Sequence, residues 1–187
     1  FIMSKIISQN DLLKEQLTSL LIERMPLIEK RVLDSIFSII DKLDTAGGEF
    51  IGGPLTLDTL LELATTIDQA MITGGYADSV NLFISDFGKV TINTSALLNE
   101  VGGIEASVVK LSDIENKWKY LTSNTLLRSG VAEDFKTPIL KILDESISYG
   151  GSIDRAKKTL SDFIIGNEDK NGRLTSYSTQ IARDSIR

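Results

Sequence analysis

The chain has 187 residues, 42% hydrophobic and 25% charged, with 20 Lys plus Arg against 26 Asp plus Glu for a net charge of −6. That length buries one sizeable core or two small ones, while 3 Pro and 14 aperiodic Gly exclude collagen-like and low-complexity classes and a mean hydropathy near zero argues against membrane spans. With no Cys and no His the chain cannot form a disulfide, a Cys/His zinc site, or a Ser-His or Cys-His nucleophile, and its acidic balance opposes broad contact with phosphate backbones or anionic lipid.

The amino-terminal run Phe1-Ile2-Met3-Ser4-Lys5-Ile6-Ile7 has neither a basic leader nor an apolar stretch of signal-peptide length, so synthesis in the cytoplasm is expected, with Met3 as the natural start. Leu12, Leu13, Leu17, Leu20 and Leu21 recur at helical spacing behind Asp11, which predicts an amphipathic helix over 10–24 with Asp11 as its cap. Pro26 suits the first turn of a second helix, or a kink in one long helix. From there Ile28, Val32, Ile36, Ile39 or Ile40, and Leu43 step by three and four, the pattern of a helix packed on another helix. Residues 1–45 therefore read as a helical hairpin or one kinked helix.

Residues 45–54 hold four glycines and a proline, which breaks any helix; 46–54 is a Gly-rich loop that Phe50 and Ile51 are expected to pin to the core. Residues 55–187 then form a helical bundle. Thr56 or Asp58 caps a helix carrying Leu57, Leu60, Leu61, Leu63, Ala64, Ile67, Ala70 and Met71, which stops at Gly74-Gly75. Val80, Leu82, Phe83, Phe87 and Val90 suggest another helix, with a short extended piece near Gly88 as the alternative, and Leu97, Leu98 and Val101 lead to Gly102-Gly103. Ile104, Val108, Leu111, Ile114, Trp118 and Leu121 draw one apolar stripe down a further helix, with Trp118 as a packed anchor in core or interface. Three more helices follow: 131–148 with Pro138 as kink or restart, 153–165 capped by Ser152 or Asp154, and one from Leu174 onward. The irregular spacing of the glycine pairs marks helix stops rather than a solenoid. The expected fold is all-α, a bundle of about seven helices.

Chemistry-bearing patterns are sparse. Asn167, Asp169, Asn171 and Gly172 mimic the start of a calcium loop, but the first ligand is Asn and Ser178 stands where a bidentate Glu is required, so a polar turn is the expected reading. Arg155, Lys157, Lys158, Arg173, Arg183 and Arg187 make the carboxy-terminal part more basic, without the aromatic interleaving of a nucleic-acid surface. DNA contact is thus conceivable but unsupported by the net charge. No phosphate-binding glycine frame is present, and neither enzyme activity, cofactor nor metal is expected. A carboxylate-metal enzyme would have to rest on Asp162, Glu168 or Asp169.

From Ser146 the chain reads Ser-Ile-Ser-Tyr-Gly-Gly-Ser-Ile-Asp-Arg-Ala-Lys-Lys-Thr-Leu-Ser-Asp-Phe-Ile-Ile-Gly, then a polar turn, then Gly-Arg-Leu-Thr-Ser-Tyr-Ser-Thr-Gln-Ile-Ala-Arg-Asp-Ser-Ile-Arg. This is similar to the leading helical region of tailed-phage minor head proteins, the head-morphogenesis family, with Gly151, Ser152, Leu160, Tyr177, Ile181, Ala182, Arg183 and Asp184 at matching positions. The likeness covers 146–187, and the family often carries further elements beyond it, so the sequence reads as part of something longer. It implies a virion structural protein, made in the bacterial cytoplasm and placed at the portal or capsid interior. Its role would lie in head assembly, DNA packaging or delivery, as an oligomer or with neighbouring virion proteins as partners. The alternative is a helical adaptor or regulatory bundle of a bacterium or mobile element that takes a partner helix. The interaction candidates are Ile28, Val32, Ile36, Leu43, Trp118, Tyr177, Ile181 and Arg183.

Overall fold

The structure is a computed structural model that describes residues 2–43, 45–53, 57–86 and 108–185. Helix α1 (Ile2–Ile22) ends in a two-residue turn at Glu23-Arg24, and α2 (Met25–Ile40) begins at once with Pro26 in its first turn. Pro26 therefore starts a second helix rather than kinking a first, because its missing N–H falls where no intrahelical acceptor is needed. Asp11 lies in the interior of α1 and caps nothing, since the helix begins well before it.

The strands β1 (Thr45–Ala46) and β2 (Glu49–Phe50) pair antiparallel, Thr45 opposite Phe50 and Ala46 opposite Glu49. Helix α3 (Leu57–Thr73) turns at Gly74 and Gly75, the latter at φ 80°, into a helical stretch over 76–86, α4. Helix α5 (Val108–Leu127) passes into the short α6 (Ser129–Val131), a π turn at Ala132–Lys136 and α7 (Thr137–Ser148), with Pro138 in the first turn after the π segment. Helix α8 (Ile153–Ile164) is capped by Ser152, whose hydroxyl accepts from the Arg155 amide. A second hairpin, β3 (Gly166–Asn167) and β4 (Lys170–Asn171), leads into α9 (Arg173–Ser185). The chain is all-α, and the two small hairpins are its strands among the described residues. Phe87, Val90, Gly88, Leu97, Leu98, Gly102, Ile104 and the Thr56 cap lie outside the described residues.

Helix α2 is the hub. It buries Met25, Ile28, Glu29, Val32, Leu33, Ile36, Ile39 and Ile40, a face too wide for one partner, and it packs on α3, α8, α9 and α1. Each fully buried aliphatic side chain contributes about 1.5–3 kcal/mol. The same core takes Leu17 and Leu21 from α1, Leu63 and Ile67 from α3, Phe135 and Ile139 around the π turn, Leu160 from α8 and Leu174 from α9, with the Phe135 and Phe163 rings stacked at 6.4 Å.

The Gly-rich loop is fastened to the α7–α8 turn. The Phe50 amide donates to the Gly151 carbonyl (3.0 Å), the Ile153 amide donates to the Gly48 carbonyl (3.1 Å), and Gly52 lies against the Gly150 backbone, where a side chain would crowd it. Phe50 is buried as expected, but Ile51 is 59% exposed, because adjacent residues of an extended segment point to opposite sides.

Candidate functional site

The most unusual side chain in the interior is Glu29, 1% exposed in the middle of α2. Its carboxyl lies beneath the amino terminus of α9: the Thr175 amide donates to Oε1 (2.7 Å) and the Thr175 hydroxyl to Oε2 (2.8 Å). The reason is local. Gly172 precedes the first residue of α9 and has no side chain to cap it, although its carbonyl takes the first intrahelical bond, from the Ser176 amide (3.0 Å). Glu29 supplies the missing cap from 146 residues away, accepting from the third amide of the helix as a local Ser or Asp would. A methyl group on Gly172 would overlap the Glu29 carboxyl carbon and the Ile164 carbonyl, so the approach requires glycine for space. Burial pushes the Glu29 carboxyl up to about 7, against the lowering pull of the Thr175 donors and the Leu174 amide.

Two further rows fix α9. Ser178, fully buried, places its hydroxyl 3.8 Å from the Met25 sulfur. Toward α5, the Tyr177 hydroxyl donates to the Thr125 carbonyl (2.9 Å), and Thr122 and Ser185 share a hydrogen bond of 3.0 Å. Gly130 leaves room for the Tyr177 hydroxyl, and burial, with the charges of Asp134 and Glu133, raises that phenol to about 12.

Beside this cap is an open cleft of about 530 Å³ lined by Glu133, Asp134, Asp162, Phe163, Lys170 and Arg173. The π turn presents Glu133 and Asp134 there while Phe135 points into the core. Arg173 holds Asp134 Oδ1 at 2.5 Å, and Asp134 Oδ2 is buried without a hydrogen-bond partner among the described residues. The other carboxylates do not converge: Asp162 pairs with Lys158 at 3.0 Å, and the Asp169 amide donates to Asn167 Oδ1 (3.0 Å), closing the 167–170 segment as an Asx turn inside a hairpin. Among the described residues no group of three or more Asp or Glu is arranged to hold a metal ion.

The outer faces complete the inventory. A shallow groove of about 690 Å³ runs along α1 past Leu12, Gln16, Ser19, Leu20 and Glu23, with Leu12 and Leu20 exposed. On α5 Trp118, Tyr120 and Leu121 are exposed. No helix among the described residues is long and apolar enough to cross a membrane.

These positions correct several interaction candidates. Ile28, Val32 and Ile36 are fully buried in the chain's own core, because α2 is enclosed by four helices, so they offer no surface to a partner. Leu43 and Ile181 pack partly buried against that core, and Tyr177 is buried against α5. Arg183 and Trp118 are exposed, on different helices. The stripe read through Trp118 and Leu121 is not the inward face of α5 at its carboxy-terminal end, where Thr122 and Leu126 are buried instead; those two are four apart and share one face. Glu29 has no place in the sequence pattern above, which follows apolar steps alone. Its signal was available: Met25 and Leu33 flank it at i−4 and i+4, which places it on an apolar line.

Neither family models, curated proteins nor solved structures gave a match to this chain.

Proposed function

We propose that this chain is a non-enzymatic structural or interaction protein of a tailed-phage virion, bound at the portal or capsid interior and acting in head assembly or in DNA packaging and delivery. The observation that carries an interaction role is the pair of apolar surfaces left on helices otherwise committed to the core. Leu12 and Leu20 sit along the groove of α1, and Trp118 and Leu121, three residues apart, share an exposed face of α5. Large side chains grouped on a rigid helix are the usual anchors of protein interfaces, aromatic residues above all. The virion setting rests on the likeness across 146–187. Along that stretch α7 closes at Gly150 with φ 65°, Ser152 caps α8, and α9 follows a polar hairpin.

The same groove favours a second reading, an adaptor that receives a partner's amphipathic helix. One experiment separates them. The chain is mixed with assembling phage proheads and with the host's soluble fraction, then sedimented and crosslinked, alongside the double variant Leu12→Ser/Leu20→Ser and the variant Trp118→Ser. Incorporation of the wild type into particles, lost in a folded variant, supports the virion reading; its exclusion from particles overturns that reading.

A further inference from the structure

The carboxyl of Glu29 does a job that a local residue could do, from a distant helix and at the cost of burial. It is also the described side chain whose ionisation would most disturb the core: 1% exposed, touching Thr175, and enclosed by Gly172 with no room for a methyl group. We propose that Glu29 is a proton-operated latch on α9: protonated, it keeps the helix seated, and loss of the proton leaves a buried charge that has no cationic partner among the described residues, releasing α9 from α1, α2 and α5.

The charged groups around it bear this out element by element. On α9, Arg173 is held by Asp134, while Arg183 and Asp184 face solvent. On α8, Lys157 pairs with Asp41 and Lys158 with Asp162, and Asp154 and Arg155 are exposed. On α2 itself, Lys30 pairs with Asp34, and Arg31 donates to the Thr73 carbonyl. On α3, Asp68 pairs with Lys136, and Asp58 and Glu62 are exposed; on α1, Asp11, Glu15 and Glu23 are exposed and Lys14 is half-buried. In the β3–β4 hairpin, Glu168, Asp169 and Lys170 face solvent. Burial raises the carboxyl's proton affinity, and the hydrogen bonds from Thr175 and the Leu174 amide lower it. The titratable phenol nearest in sequence to Thr175, Tyr177, bonds α5 instead.

The direction follows from linkage. A carboxyl that holds its proton up to about 7 when α9 is seated, against 4.5 when exposed, favours the seated state at low pH. The opening constant of α9 should therefore rise roughly tenfold per pH unit within that window, on the order of a hundredfold between pH 5 and pH 8. The latch does not depend on which partner the bundle meets, so it stands or falls separately from the virion reading.

The test is amide hydrogen exchange on the full chain from pH 5 to pH 8, corrected for intrinsic exchange rates, with Glu29→Gln and Thr175→Val beside the wild type. The latch predicts that α9 amides lose protection with pH on that scale while α3 amides do not, and that Glu29→Gln flattens the dependence. Thr175→Val removes a hydroxyl donor but keeps the acid, so its dependence should extend to higher pH. A pH-independent α9 in the wild type overturns the proposal. So does an equal slope in α3, a slope that survives in Glu29→Gln, or a Thr175→Val profile identical to the wild type.

Discussion

Gly172→Ala puts the capping geometry under direct load. Gly172 is not among the glycines with positive φ, so alanine suffers no dihedral strain there and any loss must come from space. Its methyl would overlap two groups that cannot both move: the Ile164 carbonyl, fixed in the backbone at the end of α8, and the Glu29 carboxyl. Overpacking of this kind costs about 1–3 kcal/mol, and displacing the protonated carboxyl from the Thr175 amide and hydroxyl forfeits two neutral hydrogen bonds of about 0.5–1.5 kcal/mol each. Together these give a loss of about 2–6 kcal/mol. The comparison variant is Gly48→Ala in the first hairpin turn, where φ is 86° and the space around the added methyl is empty. It should lose only about 1–2 kcal/mol, the cost of a left-handed alanine. Urea unfolding followed by far-UV circular dichroism, at constant m, measures both. A double-mutant cycle with Glu29→Ala should show coupling of at least about 1 kcal/mol, because the two residues touch. A Gly172→Ala protein that loses less than Gly48→Ala would refute the cap.

Global stability should fall with rising pH through the same carboxyl. Its folded value of about 7 lies above the ordinary 4.5, so its contribution is complete below about 4.5 and disappears as the pH climbs through about 7; the wild type minus Glu29→Gln difference should shrink by about 2–3 kcal/mol between pH 5 and pH 8 in urea titrations. Phe135→Ala, which empties a fully buried site beside the Phe163 ring, should lose about 3–5 kcal/mol in the same assay. Tyr177→Phe should cost about 1 kcal/mol, the worth of one hydroxyl bond to the Thr125 carbonyl. Lys157→Ala should change stability by under about 1 kcal/mol, since its Asp41 partner is largely exposed, and thermal melts would show it.

The helical class was legible in the sequence wherever apolar residues kept a step of three or four. Pro26, Pro138 and Ser152 marked helix starts through plain backbone chemistry, and each stands where that chemistry places it. What the periodicity concealed was which partner each face would meet. Ile28, Val32 and Ile36 look the same in sequence whether they face another protein or their own chain, and only the enclosure of α2 by four helices decides the matter. The π turn at Ala132–Lys136 is likewise invisible to a pattern search, since one added residue per turn shifts Asp134 toward the cleft without disturbing the apolar count. Capping was read locally, as Ser152 deserved; a cap delivered from 146 residues upstream leaves no mark beside the helix it serves.

That separation also orders events in time. A ribosome adding about 5–20 residues per second needs on the order of ten seconds to travel from Glu29 to Thr175. Throughout that interval α2 can gather α1 and α3 around itself, but its acid must stay hydrated, and the flank of α1 that α9 will cover stays bare. The nascent bundle therefore keeps a wet seam until α9 is made, and closing that seam is the step at which the Glu29 carboxyl leaves water.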